Sequence, residues 1–256
     1  MSGLSNIKGF IFDLDGTFYV SNKAIDGSRE IIEHLRDKKI PFRFTTNTTT
    51  RSLDSLVAKL NNLGLPIRPE ESFGTVKAAV EFLRQKGEPS CYFVLSKDAL
   101  EDFAEFTVSD SAPDFIVMGD IDNWDYKLLN KLFNMMMNGS ELIALHKGRY
   151  WQTADGLQLD IGIFVAGLEY VTGKKAIVIG KPSRSLFQFV LDDMRLAAAD
   201  VAMVGDDIIN DVKGAQEAGM TGILVRTGKY REDLIANSGV TPDMVIDSVA
   251  DLIDLV

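Results

Sequence analysis

The sequence predicts an α/β fold: a doubly wound parallel sheet forms the core, and a second, smaller α/β domain is inserted into it. Three observations carry that expectation. Apolar runs of strand length alternate with segments of helical periodicity, as successive βα units require. Several of the runs end in clusters of polar residues, where open parallel sheets place their ligands. The alternation gives way to a second series between about Pro89 and Lys175 and then resumes. The expected domains are therefore residues 1–88 together with 176–256, and between them the insertion 89–175.

The first strand is expected over Ile7, Phe10, Ile11 and Phe12, an apolar run suited to burial on both faces. It leads directly into Asp13, Leu14, Asp15, Gly16 and Thr17. Phe18 to Asp26 has no helical period and reads as a flap-like loop. Arg29 to Lys38 is a helix with Ile31, Ile32 and Leu35 as its stripe, and Pro41 to Thr45 a second strand ending in the polar run Thr45 to Arg51. Helices follow at Leu53 to Leu63 and Ala78 to Gln85, before Lys86-Gly87-Glu88-Pro89 breaks the pattern.

In the insertion, strands are expected at Cys91 to Leu95, Phe115 to Met118 and Leu142 to Leu145, and helices at Tyr126 to Asn138 and Ile163 to Val171. Arg149 to Leu159, with Asp155-Gly156 at its centre, reads as a β-hairpin. The first series resumes with a strand at Ala176 to Ile179, which ends in Gly180-Lys181-Pro182-Ser183. A helix at Leu186 to Met194 and a strand at Val201 to Val204 follow, the latter ending in Gly205-Asp206-Asp207. A helix carrying Val212, Ala215 and Ala218, strands at Thr221 to Val225 and Met244 to Ile246, and a C-terminal helix complete the chain.

Composition narrows the function. Hydrophobic residues at 46% and charged ones at 25% suit a globular core, and a formal net charge of -10 argues against binding nucleic acid or an anionic membrane. Neither a charged-then-apolar leader nor an apolar run of bilayer length is found, and the single cysteine, Cys91, forms no internal disulfide. A reducing compartment, the cytoplasm, is the expected location.

Asp13 and Asp15 stand two residues apart, so both side chains lean toward one small volume while Leu14 packs the other way. Two carboxylates that close repel unless a cation, a proton or dedicated donors compensate them. Thr17 offers a hydroxyl to fix a neighbouring carboxylate. Thr46 and Asn47 lie between a strand and a helix, where a hydroxyl, an amide and free N–H groups grip an anion. Lys181, Asp206 and Asp211 also fall at strand ends, so the four polar clusters are placed to converge. His146, Lys147, Arg149, Tyr150 and Trp151 form a basic and aromatic patch in the insertion, suited to an anionic or planar group. Phe82, Phe93, Phe103 and Phe106 are expected in the core, and His34 on the surface.

Asp13 to Thr17, Thr46-Asn47, Gly180-Lys181-Pro182 and Gly205-Asp206-Asp207 with Asp211 resemble, in order, the four motifs of the haloacid dehalogenase superfamily of phosphohydrolases. The likeness is to its type IIA branch, that of the p-nitrophenyl, nucleotide and pyridoxal phosphatases. It implies a Rossmann-like core with a type C2 cap in the insertion, and hydrolysis of a small phosphorylated metabolite with Mg²⁺. Asp13 is then the nucleophile, Asp15 the general acid and base, and Lys181 the cation that offsets their charge. Thr46, Asn47 and Lys181 bind the phosphoryl group. Mg²⁺ is held by Asp13, the main-chain carbonyl of Asp15 and Asp206, with Asp207 and Asp211 behind them. Lys147, Arg149 and Tyr150 are the residues expected to set substrate preference, and a homodimer is expected to form through the cap. Two other readings stay open: a non-catalytic phosphometabolite-binding or regulatory protein on the same fold, and a phosphotransferase or mutase using the same aspartyl-phosphate.

Overall fold

The computed structural model describes residues 4–153 and 156–256, with the side chains of 151–157 outside that description. Phe10, Ile11 and Phe12 are all buried in β1 (Gly9–Asp13), as a strand covered on both faces demands. A short antiparallel hairpin follows, β2 (Tyr19–Val20) and β3 (Lys23–Ala24), where an irregular flap was expected. Next come α1 (Ser28–Asp37), β4 (Phe42–Thr45), α2 (Leu53–Asn62) and α3 (Thr75–Gln85). The middle of the chain supplies β5 (Cys91–Val94), α4 (Lys97–Leu100), β6 (Phe115–Met118), α5 (Tyr126–Met137) and β7 (Glu141–Ala144). It continues with the hairpin β8 (Tyr150–Thr153) and β9 (Gly156–Leu159), then α6 (Gly162–Thr172) and β10 (Ile177–Val178). Of the turn expected at Asp155-Gly156, Asp155 lies outside the described residues. The last third is α7 (Arg184–Met194), β11 (Val201–Gly205), a π-helical turn Ile208–Lys213 running into α8 (Gly214–Glu217), β12 (Thr221–Val225), α9 (Glu232–Ser238) and β13 (Met244–Ile246). The C-terminal helix is a 3₁₀ helix, Val249–Asp254.

Two parallel sheets organise these elements. The first has the order β13-β12-β11-β1-β4, with β1 at an inner position and strand order reversing on either side of it. Phe10, Phe12, Phe18, Phe42 and Phe44 interlock over its face, Phe12 meeting Phe18 edge-on at 5.2 Å. Ile31, Ile32 and Leu35 of α1 are fully buried in the same core. Each such side chain stabilises the fold by roughly 1.5–3 kcal/mol relative to exposure. The second sheet has the order β10-β7-β6-β5, covered by α5 and α6 through Leu132, Met135, Met136, Val165 and Leu168.

The chain divides into two compact units, Met1–Thr46 with Leu56–Gly74 and Lys181–Val256, and Asn47–Ser55 with Thr75–Gly180. Those limits differ from the expected breaks at 88/89 and 175/176 for a local reason. Ile177 and Val178 pair with Ile143 and Ala144 of β7, so the strand expected to resume the first sheet completes the second. Helix α3 likewise goes with the second unit, where its Phe82 meets Phe115 edge-on at 6.2 Å. Among the four phenylalanines expected in the core, Phe103 and Phe106 are buried, while Phe82 and Phe93 are half-buried. His34 is half-buried, with Nε2 3.2 Å from the Val256 carbonyl oxygen.

One ion pair in the first unit has the geometry of a structural tie. Glu71 accepts from Arg36 Nε at 2.9 Å and from its Nη2 at 2.5 Å, and also from the Arg68 N–H at 2.9 Å. Both partners are largely buried, so removing the carboxylate strands a guanidinium. Glu71→Ala is expected to lower unfolding free energy by about 2 kcal/mol or more, whereas Asp200→Ala, which loses the exposed pair with Lys8, costs about 0.5 kcal/mol or less. Urea denaturation of both variants checks this, and equal losses contradict it.

Candidate active site

Asp13 is the last residue of β1 and is buried, registered against Thr45 of β4. The neighbouring strand β11 ends at Gly205 and hands on to Asp206, which is also buried. Sheet register thus brings the two carboxylates to one edge. Beyond them the chain forms a π-helical turn in which Asp207 and Asp211 lie one turn apart, and Asp211 Oδ2 accepts from the Asp207 N–H at 3.0 Å. Asp13, Asp206 and Asp211 each place one carboxylate oxygen within 4.8 Å of the others. Three buried carboxylates this close demand positive charge.

Lys181 supplies part of it. Its ammonium is buried, donates to Asp13 Oδ1 and lies 2.7 Å from Asp211 Oδ1. Burial works against charge on Lys181, but Asp13 and Asp211 outweigh it and raise the ammonium above the ordinary lysine range. Asp211 shows the opposite strain: burial lifts its carboxyl, Lys181 opposes, Asp13 adds to the lift, and the outcome is about 7. Asp206 is pushed well above the carboxylate range by burial first, then by Asp13 and Asp211. One ammonium therefore does not neutralise the cluster. A hard divalent cation suits what remains, an all-oxygen set of carboxylates whose repulsion it relieves.

The Asp206 carboxylate is shaped by backbone. Its Oδ2 accepts from the Lys229 N–H at 2.7 Å, and Gly16 and Gly228, both at positive φ, pack against it where a Cβ would overlap the carboxylate. Thr227 Oγ1 donates to the Gly16 carbonyl at 2.5 Å. This loop after β12 is a further polar run at a strand end. Thr17, by contrast, does not fix a carboxylate. Its hydroxyl is buried and has no hydrogen-bond partner among the described residues, and Thr227 holds the turn instead.

Asp15 bridges to Tyr19 beside the hairpin and keeps exposed surface. Crowding around its carboxyl and the charge of Asp13 raise its pKa, while Lys59, Lys229 and Lys181 pull the other way. Asp15 thus keeps its proton to a higher pH than an ordinary aspartate does. Asp207 serves the turn that follows it. It accepts from the Ile209 and Asn210 N–H groups at 3.0 Å and from Asn210 Nδ2 at 2.8 Å. Burial would raise its carboxyl, but Lys229 and those donors hold it low.

Thr46 is buried one residue beyond β4. Asn47 begins the second unit, where its Oδ1 accepts from Thr75 Oγ1 at 3.2 Å. Lys147, Arg149 and Tyr150 also belong to the second unit. Lys147 pairs with Glu169 at 2.6 Å, while the Arg149 guanidinium lies 5.7 Å from the Tyr150 ring, both residues exposed. His146, expected in the same exposed patch, is buried. The side chain of Trp151 lies outside the described residues.

The chain is similar to several known proteins. A haloacid dehalogenase-like hydrolase family model matches residues 10–108, and a HAD-hydrolase-like model matches residues 178–252. The phospholysine phosphohistidine inorganic pyrophosphate phosphatase of Danio rerio is 36% identical over 260 residues, covering 99% of this chain and 95% of the relative. Haloacid dehalogenase-like hydrolase domain-containing protein 2 of Homo sapiens is 38% identical over 232 residues, 90% of this chain and 88% of its own. Among solved structures, the 4-nitrophenylphosphatase of Thermotoga maritima superposes with a TM-score of 0.92 at 28% identity, covering 98% of both chains. The p-nitrophenyl phosphatase of Archaeoglobus fulgidus gives the same score and identity over 98% of this chain and 99% of its own.

Proposed function

The chain belongs to the haloacid dehalogenase-like hydrolases and is a phosphatase of that family, and on that premise we propose that it cleaves small phosphate monoesters or pyrophosphate with Mg²⁺ through an aspartyl-phosphate. The observation that carries the reading is Asp13, held by Lys181 and gathered with Asp206 and Asp211 at one sheet edge, with Asp15, a carboxyl raised above its ordinary value by burial and by Asp13, two residues on.

Asp13 Oδ attacks phosphorus, and the bond from phosphorus to the leaving oxygen breaks as Asp15 gives that oxygen its proton. Asp15, now ionised, takes a proton from water, which attacks the aspartyl-phosphate and returns Asp13 as carboxylate and phosphate as product. Lys181, Thr46 and the Asn47 backbone bind the phosphoryl oxygens and steady the charge they gain. Asp13, Asp206 and the Asp15 main-chain carbonyl would hold Mg²⁺, which neutralises phosphoryl oxygen charge when bound. Asp211 and Asp207 act from behind them, Asp211 as the second anchor of Lys181 and Asp207 through the turn it caps.

The second unit takes the part of a type C2 cap. Arg149 and Tyr150, exposed and adjacent, are its residues for an anionic or planar leaving group, with Lys147 tied to Glu169 between them and the strand. Helix α6 supports the homodimer. Ile163, Ala166, Gly167, Tyr170 and Val171 are exposed at helical spacing and carry no charge, with Tyr170 at 88% exposure. A helix apolar on both faces asks for cover on the second, and a second copy offers the same uncharged stripe across a two-fold axis. Among the described residues no helix is long and apolar enough to cross a membrane, and burial pushes the Cys91 thiol up to about 12, which suits a chain kept reduced in the cytoplasm.

Two outcomes are expected. With Mg²⁺ supplied, Asp13→Asn abolishes p-nitrophenyl phosphate turnover and Asp15→Asn slows it by about 10²-fold or more; full activity of either variant in a steady-state assay removes its assigned role. Tyr170→Asp shifts the protein from dimer to monomer in light scattering, whereas a wild-type protein that is monomeric at all concentrations contradicts the interface.

A further inference from the structure

His146 follows β7 and is 4% exposed, so both ring nitrogens must find partners inside the second unit. Nδ1 is 3.2 Å from the Gly148 nitrogen, whose N–H donates to it. A nitrogen that accepts carries no proton, so the proton of the neutral ring is on Nε2, which donates to Asp120 Oδ2 at 3.1 Å. Asp120, just past β6, is itself held: its Oδ2 accepts from Thr49 Oγ1 at 2.6 Å, and its N–H donates back to that hydroxyl at 2.9 Å.

A second carboxylate, Asp160, completes the cluster: Asp120, His146 and Asp160 each place one polar side-chain atom within 4.8 Å of the others. Asp160, just before α6, accepts from the Ile161 N–H at 2.7 Å through Oδ1, and its Oδ2 lies 3.7 Å from His146 Nδ1. Gly148 packs directly against this carboxylate, with no room for a Cβ, and its carbonyl accepts from the Gly162 N–H at 2.9 Å. Burial raises the Asp160 carboxyl, whereas burial of Asp120 is outweighed by His146 and Thr49, which hold it low. The groups facing the ring are therefore Asp120 from the end of β6 and Asp160 from the start of α6. Of the loop's two cations among the described residues, Lys147 turns to Glu169 of α6 and Arg149 lies against the Tyr150 ring.

We infer that His146 is a positioning residue, a proton-sensitive latch that holds the backbone of residues 146–150 in one of two arrangements and so tunes which leaving group is accepted. The link to substrate rests on the proposal above that Arg149 and Tyr150 meet the leaving group. In the neutral state Nδ1 is an acceptor and pins Gly148, two residues on. A proton added at Nδ1 turns it into a donor. It then repels the Gly148 N–H and has a carboxylate acceptor, Asp160 Oδ2, within a short swing. The ring remains tied to Asp120 in both states, so only the Gly148 side of the latch opens. Residues 149 and 150, which follow at once, move with it.

The full-length protein tests this in two ways across about pH 5 to 8. Amide exchange at Gly148, corrected for its intrinsic rate, is expected to show protection at pH 8 that falls about fivefold or more by pH 5.5, the scale of one lost hydrogen bond. The ratio of kcat/KM for p-nitrophenyl phosphate to that for pyrophosphate is expected to change with pH in the wild type and to stay flat, relative to the wild type, in His146→Asn. That variant cannot take up a proton, and substrate ionisation is common to both proteins. Protection that does not vary with pH overturns the latch. Protection that varies while the ratio behaves identically in both proteins overturns the link to substrate choice. Should neither compound be turned over, the selectivity reading fails while amide exchange still decides whether the latch exists.

Discussion

The Lys181 ammonium, buried between Asp13 and Asp211, is the contact on which the rest of the first unit's chemistry depends. Charges removed from water are costly, and a lone buried carboxylate answers by taking up a proton. Here Lys181 lowers that cost for Asp13 and Asp211 together, while Asp206 is driven well above the usual carboxylate range by burial and by the charges of Asp13 and Asp211. The residual negative charge is what a divalent ion would offset at this edge. With such an ion bound, local charge rather than the net charge of -10 would decide where an anionic substrate lands.

Sheet topology explains why the cluster exists at all. β1 lies between β11 and β4, so residues just past three adjacent strands share one edge without any loop having to reach. Asp13, Asp206 and Thr46 owe their placement to register, which the apolar strands enforce by burial. Asp211 needs the π-helical turn, which carries it back from solvent toward Lys181; turns of this kind recur at functional sites.

Much of this was legible in the amino-acid order. The strands and most helices follow from apolar periodicity, and the acids and lysine of the site follow from their position after strands. What escaped has physical reasons. The β2–β3 hairpin is two residues per strand, too short for a period of two to register. β10 reads as a core strand because apolar runs do not disclose which sheet they join; pairing with β7 decided that. Thr17 and His146 misled for the same reason, that residue type does not reveal burial. A threonine-glycine pair is ordinary turn chemistry, and only the fold brings Thr227 and Lys229 against Gly16 and Asp206.

The crowded carboxylates of Asp13, Asp206 and Asp211 are expected to take up a divalent cation. Calorimetric titration of the substrate-free protein with Mg²⁺ tests it most directly. Saturable binding is predicted at pH 7.5, weaker binding at pH 5.5, where protons on the raised Asp206 and Asp211 carboxyls compete, and none in Asp206→Asn. A wild-type protein that takes up no Mg²⁺ at pH 7.5, or an Asp206→Asn variant that binds it unchanged, would contradict the account.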